Sequence, residues 1–355
     1  MEIVHRRLRQ QYLSGPPLAD PVALLRHFGA MQAQEYAVAK WGIGQRTGVD
    51  DATVQGLIDS GGLLRTHALR PTWHFVAGVD LGWIQALTGP RVQLFNAHYN
   101  KLHGLDDEVA VRTNRVITTA LAGGNHLTRP ELAAALEQAG LPAVGNRLAY
   151  VVMRAELDGL IANGVMRGKQ HTYALVAERV ADPVELKGDE ALAEFTRRYF
   201  TSHGPATVKD FAWWSSLTVT QIRRGLGLLG GELGSETIGG RQYWFRPGPE
   251  PGRDKGPVAL LLQGYDEYGI GYSESRPLIN RAGRKIAPDN PNQTIHPIVL
   301  DSQVVGWWRR AVGRTGITVI PVLAVELTAA QRKAIEGEAA RYATFAGQPV
   351  TVAWP

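Results

Sequence analysis

The pattern that most constrains the fold is a group of short helices followed by a strand hairpin, which recurs three times in the first 250 residues. In the first copy, Asp20-Pro21 predicts the start of a helix, because Asp caps helix N-termini and Pro is tolerated at the first helical position. Gly29 predicts the end of that helix. The other predicted elements of this copy are helices over 35–45 and 51–59 and strands over 63–68 and 71–76. Three helices and a hairpin predict a winged helix.

The second and third copies keep this order of elements but not its residues, so the repeat is one of architecture. The second opens at a capping box, Thr128 to Glu131, in which each side chain can bond the backbone of the other residue. The third opens at Thr207, and its hairpin turns at Gly239-Gly240. The predicted elements are helices over 132–139, 146–160, 208–215 and 219–229 and hairpins over 165–176 and 232–245.

The last hundred residues have the pattern of a sheet. After a Pro/Gly-rich link at 247–256, strands are predicted over 258–262, 296–300, 303–308 and 317–325, with a helix opened by Thr328 and a last strand near Val350. This predicts a small β-barrel or mixed β domain. The expected fold is therefore α+β, with winged helices at 1–100, 101–180 and 181–250 in tandem and a C-terminal β domain at 251–355.

Composition excludes several kinds of protein. The chain has no cysteine, which removes disulfides, zinc ribbons and thiol nucleophiles. Neither His67 with His74 nor His98 with His103 has the spacing of a helical metal pair, so we expect no metal and no cofactor. With no secretory signal and no apolar run long enough to span a bilayer, a cytoplasmic location is expected. The net charge of +5 favours a polyanionic partner such as nucleic acid.

The candidate catalytic residues are two glutamines, Gln32 and Gln34, which flank one alanine between two predicted helices. Residues two apart share a side only in an extended segment or turn, so the pair can act together only if this backbone is not helical. An amide can hold a water or orient a substrate, but it has no titratable proton at neutral pH. This limits the chemistry to substrates with a good leaving group. The alternative is that both amides cap the neighbouring helices.

Three separated basic groups are candidate phosphate contacts. They are Arg65, Arg70 and His74 on the first hairpin, Arg223 and Arg224 on the third winged helix, and Arg281, Arg284 and Lys285 in a polar loop. The helix over 51–59, which would read bases in a simple repressor, contains no Arg or Lys. It carries Asp51 and Asp59, with Asp50 just before it, so phosphates would repel it. This argues against a sequence-reading regulator.

A pair of adjacent carboxylates, Asp266 and Glu267, follows an apolar strand and could supply acid–base chemistry, because strand ends collect functional groups. Neighbouring residues point to two faces, however. The simpler interpretation is that one carboxylate is solvated and the other hydrogen-bonded locally.

Several motifs together resemble the AlkZ/YcaQ-type winged-helix DNA glycosylases. They are Gln32-Ala33-Gln34, the hairpin Arg65 to His74, the block His203 to Ala212, Tyr265-Asp266-Glu267-Tyr268, and Gln303 to Arg310. The resemblance covers nearly the whole chain. It implies a C-shaped monomer of tandem winged helices with a C-terminal β-barrel. Its catalytic motif, Gln-x-Gln or Gln-x-Asp, carries over to Gln32 and Gln34, so the chain resembles the antibiotic self-resistance type more than the Gln-x-Asp type.

The resemblance also implies a function. Such enzymes excise alkylated purines from double-stranded DNA, including bulky antibiotic adducts and, in some members, interstrand crosslinks. The leading hypothesis is therefore a monofunctional DNA glycosylase for N7-alkylated purines that leaves an abasic site. The alternative is a non-enzymatic winged-helix DNA-binding or regulatory protein. An enzyme unrelated to DNA would require a closed pocket built around Asp266 and Glu267.

Overall fold

The computed structural model describes residues 2–141, 143–249, 252, 256–286 and 294–354. The predicted link at 247–256 lies partly outside them, at 250, 251 and 253–255. Within this part of the chain, no helix combines the length and the apolar character needed to cross a bilayer.

The first helix–hairpin unit contains the three helices and the hairpin that the sequence predicts, together with an N-terminal helix and a short strand that it does not predict. Its elements are α1 (Ile3–Gln10), α2 (Pro21–Phe28), β1 (Met31–Gln32), α3 (Tyr36–Thr47), α4 (Asp51–Ser60), β2 (Leu63–Ala68) and β3 (Thr72–Ala77). The Asp20 carboxylate accepts a hydrogen bond from the Val22 N–H and so caps α2. Gly29 ends α2 at a φ of +84°, a conformation that glycine adopts readily. The three strands form an antiparallel sheet in the order β1-β3-β2.

The second helix–hairpin unit differs from the prediction in its hairpin. Its elements are α5 (Leu81–Leu102), α6 (Asp107–Leu121), β4 (Leu127–Thr128), α7 (Arg129–Gln138), α8 (Gly145–Leu157), β5 (Ile161–Asn163), β6 (Thr172–Leu175) and α9 (Val176–Arg179). Helix α8 stops before 160 because Gly159 takes a left-handed conformation, with φ +71°. The buried pair Ile161 and Ala162 then forms the strand opposite β6, so the predicted hairpin at 165–176 begins too late.

The third helix–hairpin unit matches its prediction closely. It consists of α10 (Gly188–Ser202), α11 (Val208–Ser215), α12 (Val219–Leu228), β7 (Gly234–Ile238) and β8 (Arg241–Phe245). Capping boxes at Thr207 and Thr218 open α11 and α12. The hairpin turns at Gly239-Gly240, where both residues have positive φ.

The C-terminal unit is a curled, open sheet covered by one long helix. It consists of β9 (Ala259–Leu261), α13 (Glu267–Ile270), β10 (His296–Leu300), β11 (Gln303–Val312), β12 (Ile317–Leu323), α14 (Ala329–Ala346) and β13 (Val350–Val352). The strand order is β13-β12-β11-β10-β9, and among the described residues the edge strands β9 and β13 do not pair. The sheet is therefore a half-barrel, and of the two predicted forms the mixed one is correct.

The first and C-terminal units share one hydrophobic core, although they lie at opposite ends of the sequence. The Trp41 indole N–H donates to the Leu261 carbonyl at 2.8 Å, and the same ring packs against Tyr342 of α14. Arg46 makes two hydrogen bonds to the Asp266 carboxylate, at 2.9 and 2.7 Å. Both side chains are buried, so each charge depends on the other for compensation.

The replacement Arg46→Met tests how much this ion pair between the first and C-terminal units contributes to stability. It leaves the Asp266 carboxylate buried without its cation, and the loss of one partner of a buried pair typically costs about 3–5 kcal/mol of unfolding free energy. We expect a loss of that size in denaturant titration. The matched control is Arg224→Met, which breaks an exposed pair with Asp189 and should leave the unfolding free energy nearly unchanged. Equal losses in the two variants would contradict a structural role for the buried pair.

Candidate active site

The two glutamines lie on a non-helical segment, as their proposed joint action requires. Gln32 is in β1, directly opposite His74 of β3, and the Ala33 N–H donates to the Trp73 carbonyl at 2.7 Å. An extended backbone of this kind places side chains two residues apart on one side. The capping alternative is wrong, since α2 ends on Gly29 and α3 has no side-chain cap at its N-terminus.

Gln32 is held at three of its four polar groups. Its backbone N–H donates to Glu267 Oε1 at 2.7 Å, and its carbonyl accepts from Gln263 Nε2 at 3.0 Å. Its side-chain Oε1 accepts from Arg70 Nη2 at 3.0 Å. Among the described residues none accepts a hydrogen bond from Gln32 Nε2. The side chain is thus fixed in orientation in a nearly buried position, and its amide N–H groups have no protein partner among the described residues.

Gln34 is more exposed and more loosely held. Its Oε1 accepts from the Trp73 backbone N–H at 3.4 Å, and its carbonyl accepts from Arg65 Nη2 at 3.4 Å. The half-buried side chain lies where the segment leaves the sheet and enters α3. Of the two amides, that of Gln32 is therefore held by shorter hydrogen bonds than that of Gln34.

Glu267 is the carboxylate that accepts the hydrogen bond from the Gln32 backbone N–H. It is fully buried, and its Oε2 accepts from the Trp214 indole N–H at 2.7 Å and lies 3.3 Å from His203 Nε2. Burial alone would raise the pKa of Glu267, but the hydrogen bond from His203, the charge of Arg70 and the Gln32 N–H outweigh it and lower the pKa. Burial lowers the pKa of His203. At neutral pH the carboxylate is therefore ionised and the imidazole neutral.

The expectation of one solvated and one locally bonded carboxylate is correct in its second half only. Both Asp266 and Glu267 are buried, so neither is solvated, whereas Asp266 is bonded locally and accepts from the Tyr268 N–H at 2.9 Å. They do point to two sides, as neighbours must: Asp266 faces Arg46, and Glu267 faces Gln32. A cavity of about 250 Å³ lies beside Asp266 but Glu267 does not line it. The closed pocket around both carboxylates that a DNA-independent enzyme would need is therefore absent from the described residues.

Two of the basic residues of the first hairpin, Arg65 and Arg70, donate hydrogen bonds to the glutamine segment. Arg65 is largely buried, donates to the Ala33 carbonyl at 2.9 Å, and stacks over the Trp73 ring. Arg70 bridges Gln32 Oε1 and the Trp214 carbonyl. Burial lowers the pKa of both arginines. His74 is fully buried, and burial together with the charge of Arg70 lowers its pKa to about 3.

The other predicted DNA contacts lie apart from this site. Arg223 and Arg224 are exposed on α12, and Arg224 pairs with Asp189 at 2.7 Å. Arg281 and Lys285 are exposed and Arg284 is half-buried, all in the segment that follows residues 276–280. No contact described in the structure joins these five to the glutamine segment.

Sequence reasoning missed the supporting residues Gln263, Trp214 and His203. The first follows β9, while the other two lie in the third unit, and all three are fully buried. The motif Tyr265 to Tyr268 marked Glu267 as a polar group at a strand end. Nothing local could connect it to Gln32, which lies 235 positions away in the chain.

Comparison with known proteins gives two findings. A family model described as DNA glycosylase AlkZ-like matches residues 25–345. The solved structure of Streptomyces sahachiroi DNA glycosylase AlkZ is similar, with a TM-score of 0.77 and 22% sequence identity over 99% of this chain and 98% of that chain. At this identity the likeness concerns the fold. No curated protein sequence matches.

The buried His74 predicts acid sensitivity. Between pH 6.5 and about 3 the unfolded chain binds a proton at this residue and the folded chain does not, so the free energy of unfolding falls as the pH is lowered through that range. At about pH 5 the loss from this residue is about 2 kcal/mol. We expect His74→Leu to show a smaller drop in Tm between about pH 7.5 and 5 than the wild type. His98→Leu, at an exposed histidine, should keep the full drop; an unchanged drop in His74→Leu would remove His74 as its source.

Proposed function

The chain belongs to the AlkZ-like family of DNA glycosylases, and from that premise we propose that it hydrolyses the N-glycosidic bond of N7-alkylated purines in double-stranded DNA and leaves an abasic site. The family assignment identifies an enzyme, so the alternative of a non-enzymatic regulator is not retained. The finer statement, that the substrate is an N7-alkylated purine, rests on the chemistry of the glutamine segment.

The observation that carries the proposal is the fixed amide of Gln32, whose N–H groups have no protein partner among the described residues, with a second amide two residues on. Neither glutamine can act as a strong base. An N7-alkylated guanine is cationic, so its glycosidic bond is already weakened and the enzyme must mainly place a water at C1′. Positioned dipoles can do this and also stabilise the cationic sugar of the transition state.

We extend the proposal to bulky genotoxin or antibiotic adducts, and to interstrand crosslinks formed by the same reagents. Its support is the second glutamine of the motif, which resembles the self-resistance type. A bulky adduct in the groove also favours attack on DNA held in an open cleft over full flipping into a tight pocket. A role in self-resistance to an alkylating antibiotic follows from this substrate class.

The mode of DNA binding is part of the same proposal. Three helix–hairpin units in series support a tandem winged-helix arrangement in a monomer. We assign Arg223, Arg224, Arg281, Arg284 and Lys285 to phosphate contacts. Arg65, Arg70 and His74 contribute by holding the glutamine segment, because their side chains are engaged or buried there.

Excision of a defined lesion tests the reaction. Duplex DNA with one N7-methylguanine is incubated with excess enzyme and heated in alkali, so that each abasic site becomes a strand break. The loss of one positioned hydrogen bond costs about 10²- to 10³-fold where charge develops in a dry site, and a labile base should place Gln32→Ala and Gln34→Ala at the lower end. The double variant should be less than additive, since both amides would serve one water.

Two variants sharpen this test. Gln34→Asp supplies the residue of the Gln-x-Asp type and should retain more activity than Gln34→Ala. Gln348→Ala removes an exposed amide outside the site and should excise at the wild-type rate. Full single-turnover excision by the Gln32→Ala/Gln34→Ala protein would defeat the proposed mechanism.

Salt dependence tests the assigned phosphate contacts. Binding to undamaged duplex should be weak and electrostatic, and each lost phosphate contact reduces the slope of log K against log salt concentration by about 1. We expect that change for Arg223→Ala and for Arg281→Ala. Arg332→Ala, at an exposed arginine of α14, should leave the slope unchanged. Wild-type slopes in both test variants would place the DNA path elsewhere.

A further inference from the structure

Gln32 belongs to a closed ring of hydrogen bonds formed by four residues. Arg70 donates from Nη2 to Gln32 Oε1 and from Nη1 to the Trp214 carbonyl, each at 3.0 Å. The Trp214 indole N–H donates to Glu267 Oε2 at 2.7 Å. The other oxygen of Glu267 accepts from the Gln32 backbone N–H at 2.7 Å, which closes the ring.

The ring joins three separate parts of the chain. Gln32 and Arg70 come from the first unit, Trp214 from α11 of the third unit, and Glu267 from the C-terminal unit. Glu267 and Trp214 are fully buried, so neither touches solvent or bound DNA. The hydrogen bond from the Gln32 N–H is the direct contact by which Glu267 can act on the proposed catalytic amide.

The carboxylate is suited to hold a peptide group in place. A buried charge is retained in a protein only where donors compensate it, and Glu267 has donors on both oxygens. Hydrogen bonds to an ionised acceptor are shorter and stronger than neutral ones. The bond to Gln32 N–H thus fixes the backbone from which the catalytic amide projects, while Gln263 holds the adjacent carbonyl.

We propose that Glu267 is a positioning residue that sets the geometry of Gln32 for catalysis, so that the C-terminal unit and the third unit are required for the chemistry as well as for the fold. This inference rests on the proposed function of Gln32. Its physical basis is that amides without acid–base chemistry act only through geometry, and a displacement of about 1 Å can cost about 10²-fold in rate.

A double-mutant cycle tests the inference. Glu267→Gln keeps the size and shape of the side chain but replaces one acceptor oxygen with an NH₂ group. That group cannot accept the hydrogen bond from Gln32 or from Trp214 that it faces, so one hydrogen bond of the ring is lost. Single-turnover excision of N7-methylguanine should slow by about 10- to 100-fold, with DNA affinity within about twofold of wild type, because no phosphate contact is lost. In the Gln32→Ala background the same replacement should have almost no further effect, because the residue it positions is gone.

The control separates positioning from stability. Glu338 of α14 is also a buried carboxylate; it is bonded to Gln45 and Arg341, and no described hydrogen bond joins it to a member of the ring. Glu338→Gln should lower Tm but leave the excision rate unchanged at temperatures where the protein is folded. If Glu267→Gln is not recovered folded, Trp214→Phe replaces it in the cycle, since it keeps an aromatic ring and removes one donor to Glu267.

The outcomes are distinguishable. A wild-type rate for Gln32→Ala would overturn the proposed role of Gln32 and, with it, this inference. A slow Gln32→Ala protein combined with a wild-type rate for Glu267→Gln, or for Trp214→Phe where that variant is used, would overturn the inference alone. The inference is also overturned if Glu267→Gln slows excision as much in the Gln32→Ala background as in the wild type. It is supported if Glu267→Gln slows excision only where Gln32 is intact.

Discussion

Two adjacent buried carboxylates hold the two ends of the chain together. Asp266 binds Arg46 of α3, and Glu267 binds the backbone of β1, so consecutive residues of the C-terminal unit reach two elements of the first unit. Since an uncompensated buried charge is strongly destabilising, these contacts fix how the units can be joined. The shared hydrophobic core then fills the space around them. The candidate site is thus part of the interface between the first and C-terminal units.

This arrangement explains how amides can serve as the proposed catalytic groups. A general base acts through its placement and its pKa, whereas an amide contributes only its placement and its dipole. Three of the four polar groups of Gln32 are occupied by protein partners. The remaining N–H groups have few orientations open to them. Gln34 is held by longer hydrogen bonds, at 3.4 Å.

Positive charge has two different uses in this chain. Arg65 and Arg70 lie inside the site. Arg65 donates to a backbone carbonyl and stacks on an aromatic ring, and Arg70 donates to an amide oxygen. Arg223 is instead exposed, and it is among the residues proposed to contact phosphates. Net charge and motif position do not distinguish the two uses, because burial is decided by which elements pack around a side chain.

The sequence by itself determined most of the local structure. Asp20, Gly29 and the capping residues of α7, α11, α12 and α14 act on their own neighbours, so helix ends could be predicted from them. The glutamine motif also carries information by residue type alone. An amide has no titratable proton at neutral pH, whatever its contacts, and this limits the chemistry open to it. The hairpin of the second unit was misplaced because the residues that form its first strand are marked only by their burial. The curl and the open edges of the C-terminal sheet, the burial of Asp266, and the bond from Gln32 to Glu267 were decided by the tertiary structure alone. These features depend on contacts between residues far apart in the sequence, and local pattern does not encode such contacts.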